Sequence, residues 1–389
     1  MPHKAAADYP LSGTMAYNRG MNDLDILLPF GLPPPDTARD LIRECQTPAL
    51  ATLLARSAME RQAVDPFARA LAHENWLARR FGLASASNAV SDAAPNIASN
   101  TAATGADNSP PAAHAAMLAL GLPPVEGHWF LLHPTHIHIA RDHLVLTDTR
   151  QLTLDEQQAR TLFEAAAPLF EEVGKTLLYG SADTWFVRAD DWPRLRTATP
   201  DAASGRNVDI WMPQGEGDRA WRKLQNEIQM HWFAHPLNEQ RETQGLKPVN
   251  SLWLWGGADP ADLPPRDAFK PYDVCFNLSG WMRSLAATSA DGRHAANAEQ
   301  AIQAPGRRGL LLLEALTEPG LTNEWGYWLE RIEILERDWF APLLAALRKG
   351  RLQSLKLVLG GQERIAECSV TRNALRKFWI KPGLQRLAQ

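Results

Sequence analysis

The sequence has only three cysteines and no long apolar run. Cys45, Cys275 and Cys368 are scattered and form no Cys-x-x-Cys pair, which argues against a secreted disulfide scaffold and against a thiolate zinc site. No apolar run approaches the roughly 20 residues that a membrane-spanning helix needs. The first residues also lack the apolar core of a signal peptide. We therefore expect a cytoplasmic protein without a membrane partner.

An excess of basic charge and the common nucleotide motifs are absent as well. The formal net charge is −4 and the pI is about 6.3, and no run of Lys and Arg suggests a nucleic-acid partner. The chain contains neither the phosphate loop G-x-x-x-x-G-K-[ST] nor G-x-G-x-x-G after a strand, and G-x-S-x-G is missing too. We therefore predict no cofactor and assign no catalytic residue.

Tryptophan, in contrast, is abundant. The 389 residues contain fourteen Trp against five Tyr, and 45% of all residues are hydrophobic. A chain of this length can bury a large core and is expected to hold two domains. Because buried Trp usually needs a partner for its N–H group, the tryptophans indicate large packing or stacking surfaces.

The pattern of elements predicts an α/β protein with an inserted smaller α+β domain. Residues 1–124 begin the core, but 84–113 contain no aromatic side chain and are predicted to be a flexible loop. Residues 125–215 read as two strands, a helix and two strands. In 216–389, strands alternate with helices and include the apolar run 307–316, which is typical of a parallel sheet.

Four histidines fall within eleven residues, at His133, His136, His138 and His143. Histidine is the commonest metal ligand, and the second and third project to one side of a strand. Further ligands at suitable spacing are missing, so we interpret them as strand and turn histidines and predict no metal.

The segment HPLNEQRETQGLKPVNSLWLWGGA, residues 235–258, is the main candidate for a site. Its first half predicts a polar helix and its second half an apolar strand, with Trp253 and Trp255 on one face and Leu252 and Leu254 on the other. Two interpretations remain open. The tryptophans form a ligand-binding surface at the carboxyl end of a central strand, or they only pack in the core. The candidate ligand-binding residues are His235, Asn238, Arg241, Asn250, Trp253, Trp255, Gly256 and Gly257.

Two glycine pairs end predicted strands. The backbone N–H groups at Gly256-Gly257 and Gly360-Gly361 could donate hydrogen bonds to an anion. The alternative is that each pair is a simple turn.

The segment 235–258 resembles part of the archaeal-type cofactor-independent phosphoglycerate mutases, members of the alkaline-phosphatase superfamily. His-Pro-x-Asn, a basic residue, a Gly turn and Pro-x-Asn lead there into an apolar strand that ends in Gly-x-Gly. The strand WLWGG is also similar to the RpfE-type bacterial regulatory proteins. The resemblance implies an alkaline-phosphatase-like parallel sheet with the inserted domain at about 125–215.

The sequence departs from that family at its metal ligands. The resemblance implies an Asp near the first strand, a Ser or Thr nucleophile, Asp-x-x-x-His after a later strand and Asp-His after the last. The carboxylates and imidazoles bind two divalent metals that activate the nucleophile. Here the chain has DILLPFGLPP, TEPGLTNEWGYW and QERIAECS at those places. We therefore predict a catalytically degenerate protein with a binding or regulatory role. Its partner would be a small anionic metabolite or a protein.

Two alternatives stay open. The first is an active cofactor-independent mutase, or another metal-dependent phosphotransferase or hydrolase, that uses substitute ligands. The second is a scaffold whose tryptophan-rich surface is an interface.

Overall fold

The computed structural model describes residues 20–83, 107–122, 126–263 and 270–388. Its strands are β1 (Asp23–Leu28), β2 (Ala58–Ala63), β3 (Trp129–Thr135), β4 (Ile137–Ala140), β5 (His143–Leu146), β6 (Thr176–Tyr179), β7 (Trp185–Arg188), β8 (Ser251–Ala258), β9 (Val274–Phe276), β10 (Asp291–Arg293), β11 (Arg308–Leu312), β12 (Ser354–Gly360) and β13 (Arg364–Thr371). Its helices are α1 (Pro35–Glu44), α2 (Pro48–Arg56), α3 (Ala72–Arg80), α4 (Ala113–Ala119), α5 (Glu156–Glu172), α6 (Pro200–Ala203), α7 (Val208–Trp211), α8 (Asp218–Phe233), α9 (Pro236–Thr243), α10 (Met282–Ser289), α11 (Ala298–Gln303), α12 (Thr317–Thr322), α13 (Trp325–Leu335) and α14 (Ala341–Lys349).

The larger sheet has seven strands in the order β10-β9-β11-β1-β12-β13-β2. The first five are parallel, and β13 and β2 complete one edge in antiparallel pairing. Apolar side chains of β1 are completely buried, including Leu24 and Ile26, because helices cover both faces of the sheet. The predicted α/β core with a parallel sheet is confirmed.

The smaller sheet has four antiparallel strands in the order β6-β7-β3-β8. Helices α5 and α8 pack on one of its faces, since Leu162, Leu224 and Leu254 belong to one buried cluster. Asp155 begins α5 by accepting a hydrogen bond from the backbone N–H of Gln158 at 2.8 Å. This sheet and its helices form the smaller α+β unit.

The placement of the tryptophan strand differs from the prediction. Strand β8 lies at the edge of the smaller antiparallel sheet, paired with β3, and not in the parallel sheet. Apolar residues on both faces of this strand predict a central strand of the parallel sheet. An edge strand that lies between two hydrophobic cores also has two apolar faces, which explains the difference. Trp253 and Trp255 do face one core cluster, and Leu252 and Leu254 the other. The predicted domain boundaries after residues 124 and 215 stay predictions.

The predicted flexible loop 84–113 lies partly within the described residues. Residues 84–106 lie outside the described residues, but 107–113 are ordered, which corrects that part of the prediction. The hydroxyl of Ser109 is 2.8 Å from that of Thr197, and the side chain of Asn108 accepts from the Thr197 backbone N–H at 2.8 Å. Ala112 and Ala113 are completely buried.

The tryptophans are mostly interior. Eight of them are less than 2% exposed, so they build the cores of this protein and offer little to an external partner. Across the described ranges, no helix is long and apolar enough to cross a membrane.

Candidate functional site

A cavity of about 280 Å³ opens between the two sheets. Ser279 and Trp281 follow β9 and Glu314 follows β11, so the carboxyl ends of two parallel strands contribute to its wall. His133 of β3 and Trp255 of β8 contribute from the smaller sheet. Open α/β sheets bind ligands at this end of their strands, which makes the cavity the candidate site.

A partly exposed ion-pair network lies along the cavity wall. Arg150 donates to both carboxylate oxygens of Asp201, at 3.1 and 3.0 Å, and its Nε donates to Asp148 at 3.1 Å. Asp201 stands in the first turn of α6, whose N-cap is Thr199. The charge of the single guanidinium is therefore already shared between two carboxylates.

Glu74 of α3 is a buried acid beside this network and is only 2% exposed. Its carboxylate accepts from the backbone N–H of Leu71 at 2.8 Å and from the hydroxyl of Thr199 at 2.6 Å. Burial, reinforced by the charge of Asp201, raises the pKa of Glu74 to about 8, against the opposing hydrogen bonds from Thr199, Leu71 and Trp281. Glu74 is therefore mostly protonated at neutral pH.

Glu314 is a second acid with a raised pKa. The hydroxyl of Ser279 donates to its carboxylate at 2.5 Å. Burial raises the pKa of Glu314, and the charges of Asp201 and Asp148 add to this, while Ser279 and Arg150 act in the opposite direction. The cavity therefore concentrates carboxyl groups that resist ionisation together.

Aromatic rings form another part of the wall. Trp255 packs edge-on against Trp281 with ring centroids 5.7 Å apart, and it stacks with His133 at 5.9 Å. Trp255 is completely buried, and within the described residues its indole N–H has no hydrogen-bond partner. A buried donor without an acceptor is uncommon in folded proteins.

Replacing Glu74 by a side chain that does not titrate should make the free energy of unfolding depend less on pH. An unfolded Glu loses its proton near its ordinary pKa of about 4.5, whereas the folded protein keeps it to about 8. Between these values the folded state binds more protons, so the free energy of unfolding falls as pH rises. Glu74→Gln should reduce that fall by about 1–4 kcal/mol between pH 5 and pH 8, measured by urea denaturation.

The matched control for this experiment is Glu164→Gln. Glu164 lies on the exposed face of α5, and its replacement should leave the pH dependence of the parent unchanged. Equal pH slopes in the parent and in Glu74→Gln would contradict the raised pKa.

The three predicted site residues around α9 have structural contacts. His235 is the N-cap, with Nδ1 accepting from the Leu237 backbone at 3.2 Å. Asn238 donates to the carbonyls of Trp232 and Val249 and accepts from the backbone N–H of Val249. Neither side chain is among those that line the cavity. Both side chains therefore hold the fold around α9, and their predicted role in ligand binding stays a prediction.

Arg241 is completely buried, and its predicted role in ligand binding stays a prediction. Its guanidinium donates to the carbonyls of Lys247, Thr153 and Leu152 and to the side chain of Gln158. Because Leu152 lines the cavity, Arg241 acts on the site only by holding this segment in place.

Asn250 and Trp253 also bond within the fold. The side chain of Asn250 pairs with the backbone N–H and carbonyl of Ile137, each at 2.8 Å. The indole of Trp253 donates to the carbonyl of Ala198 at 2.7 Å. Both connect β8 to neighbouring segments and do not line the cavity.

The glycine pairs are packed turns and strand ends. Gly256 has φ of +69°, and a Cβ there would lie 2.8 Å from Leu131; its N–H donates to Ser109 at 3.0 Å. A Cβ on Gly257 would collide with Phe130. The N–H of Gly361 donates to the carbonyl of Arg364, so the second pair is the simple turn between β12 and β13. Of the eight predicted site residues, Trp255 alone lines the cavity.

The four histidines do not converge. His136 and His138 stack with ring centroids 5.7 Å apart, as their spacing predicted. Nδ1 of His136 contacts the carbonyl of Pro248 at 2.8 Å, and His143 pairs with Asp142. In the part of the chain that the structure describes, no group of three or more His, Cys, Asp or Glu side chains is arranged to hold a metal ion.

Sequence inspection missed most of the cavity. Glu74, Arg150 and Asp201 come from separate segments without any motif, and only the fold brings them together. Ser279 lies just before α10, whose N-cap is Trp281, and the hydroxyl of Ser279 binds Glu314. The position of Glu314 directly after an apolar parallel strand was the one available signal.

The chain is related at low identity to phosphoglycerate mutases. It is 25% identical over 171 residues to the probable 2,3-bisphosphoglycerate-independent phosphoglycerate mutase of Geobacter sulfurreducens, a match of 40% of this chain and 43% of the relative. The enzyme of the same name from Methanothrix thermoacetophila is 25% identical over 171 residues, covering 39% of this chain and 42% of the relative. The chain thus spans less than half the length of these curated relatives. No family model matches it.

One solved structure shares the fold of this chain, and a second aligns more distantly. The PH0037 protein of Pyrococcus horikoshii aligns over 95% of this chain and 92% of its own, with a TM-score of 0.53 and 12% identity. The cofactor-independent phosphoglycerate mutase of Thermoplasma acidophilum aligns over 95% of this chain and 94% of its own, with a TM-score of 0.47 and 13% identity.

Proposed function

We propose that this phosphoglycerate-mutase-like chain has lost the metal centre of the mutases and serves as a binding or regulatory protein of the RpfE type. Its ligand site is the cavity between the two sheets. The same proposal places the protein in the cytoplasm of a bacterium.

The residues at three strand ends carry this proposal. Strands β11, β1 and β12 are neighbours, so their carboxyl ends meet at one edge, where a two-metal site would need several carboxylates and imidazoles. Phe30 follows β1, Glu314 follows β11, and Gly360-Gly361 ends β12. These residues do not fit a pair of divalent metals.

The runner-up is a metal-dependent phosphotransferase or hydrolase, including an active mutase. It is favoured by Ser279 and Glu314, because a hydroxyl 2.5 Å from a carboxylate is an arrangement that can activate a nucleophile. Glu314 would in that case need further ligands that the described residues around it do not provide.

Metal analysis separates the two proposals. We expect the full chain, purified without chelator or affinity-tag histidines, to contain Mn, Zn and Mg each well below one equivalent by plasma mass spectrometry. The reason is that the described residues offer no group of three metal ligands. Two equivalents of metal that dialysis against a chelator removes would favour the enzyme.

A further inference from the structure

We propose that the cavity between the sheets binds a small organic cation with N–H donors, that is, a primary ammonium or guanidinium compound. The proposal rests on the binding role proposed above and names the ligand class of the same site. Neither the relatives nor the fold assigns such a ligand.

The charge balance of the wall favours a cation. Four carboxyl side chains line the cavity, from Glu74, Asp183, Asp201 and Glu314, against one guanidinium, Arg150. Arg150 is already paired with Asp201, and with Asp148 behind it. A small anion would meet these carboxylates without a free cation on the cavity wall, whereas an ammonium or guanidinium group would find several acceptors.

The tautomer of His133 adds an acceptor. Its Nδ1 lies 2.5 Å from the carbonyl oxygen of Asp183, which can only accept, so Nδ1 carries the hydrogen. Burial lowers the pKa of His133, so the ring is neutral at pH 7 and Nε2 has a free lone pair. Together with the partly exposed ring of Trp281, since aromatic faces attract cations, this side of the cavity also favours a donor-rich cation.

Ligand binding should release protons. Glu74 faces Asp201, Thr199 and Trp281, and its neighbour His73 stays neutral because burial lowers its pKa to about 4. A bound cation favours the ionised form of each carboxyl group, and so opposes the burial that raises its pKa.

Glu314 is the second acid that should lose its proton when a cation binds. It faces Ser279, Arg150, Asp148 and Asp201. Because both acids have raised pKa values, affinity should increase as pH rises from 6 to 8 and protons should be released on binding.

Isothermal titration calorimetry on the full chain tests the proposal. The probes are linear four-carbon aminobutanol, agmatine, and butanediol as the uncharged analogue of aminobutanol. Phosphate and HEPES serve as buffers, since both lack primary amines. We expect both cations to bind with Kd at or below about 1 mM at pH 8, and butanediol at least about tenfold more weakly. The binding enthalpy should differ between the buffers, which reports proton release.

Variants locate the site. Glu314→Gln keeps an acceptor for Ser279 and should weaken aminobutanol binding by about tenfold or more. The exposed Glu164→Gln should bind like the parent. Thermal melts of each variant exclude unfolding as the cause, and Glu74→Gln provides a second cavity acid if Glu314→Gln fails to fold.

Other outcomes overturn the inference in distinguishable ways. Equal binding of butanediol, or no binding of either cation, would disprove the cationic ligand. Binding of 3-phosphoglycerate without binding of the cations would also disprove it, but would keep a binding role and the anionic partner expected from the sequence. Tight MnCl2 binding that produces mutase turnover would overturn both the ligand class and the proposed function.

Discussion

Arg241→Ala should lower the free energy of unfolding by about 3–5 kcal/mol. The side chain is completely buried and donates to three backbone carbonyls and one side-chain amide. Alanine would leave these acceptors without a partner and open a cavity, and each buried unsatisfied group costs about 1–3 kcal/mol. The effect should be measured by urea denaturation at pH 7.

The matched control is Arg222→Ala. Arg222 is exposed on α8, and its loss should change stability by no more than about 0.5 kcal/mol. Arg241→Lys should recover part of the loss, because an ammonium group reaches fewer of the same carbonyls. If Arg241→Ala cost less than about 1 kcal/mol, the hydrogen bonds of the guanidinium would not be structural, and the predicted role of Arg241 in ligand binding would gain support.

The same variant tests how the site is positioned. Arg241 binds the carbonyls of Leu152 and Thr153, and Leu152 and Leu154 line the cavity. Its replacement should therefore also weaken binding at the cavity, although the side chain itself does not reach the ligand.

The larger sheet could be predicted from the sequence because the residues that indicate each of its strands are consecutive in the chain. Continuous apolar runs such as 307–316 indicate strands buried on both faces, and the run in β11 does lie inside the parallel sheet. Strand β13 lies second from the edge of the sheet, between β12 and β2, and follows β12 through a three-residue turn. Its sequence RIAECSVT contains few large apolar residues, so it carries a weaker strand signal than β11.

Strand β8 shows where local evidence fails. Its apolar residues correctly predicted a strand with two buried faces, but pairing partners depend on contacts that are distant in sequence. Strand β3, its partner, precedes it by more than a hundred residues. Apolar pattern alone does not distinguish a parallel neighbour from an antiparallel one.

The candidate site was harder to predict than the fold. Asn238 and Arg241 are polar residues on a helix, and such residues suggest a ligand until their burial is known. The actual wall combines Glu74, Asp201 and Glu314, which lie on three separate segments. Single acidic residues are common on surfaces, so only the folded chain shows that these three share a cavity and that burial raises the pKa of Glu74 and Glu314.

The central claim is that phosphoglycerate mutase chemistry has been lost. Phosphoryl transfer in the alkaline-phosphatase superfamily depends on metals that activate the nucleophile and neutralise the charge of the phosphoryl group. The strand ends here carry Phe30, Glu314 and Gly360-Gly361, which do not supply the ligands for two metals. An active enzyme has a typical kcat on the order of 10 per second, and we expect turnover at least about ten-thousandfold lower.

The most direct measurement is the interconversion of 2- and 3-phosphoglycerate by the purified full chain, followed by phosphorus NMR with Mn or Mg added and with an active mutase as positive control. The account predicts no conversion above the buffer blank under either condition. Robust turnover that a chelator abolishes and Mn restores would contradict it.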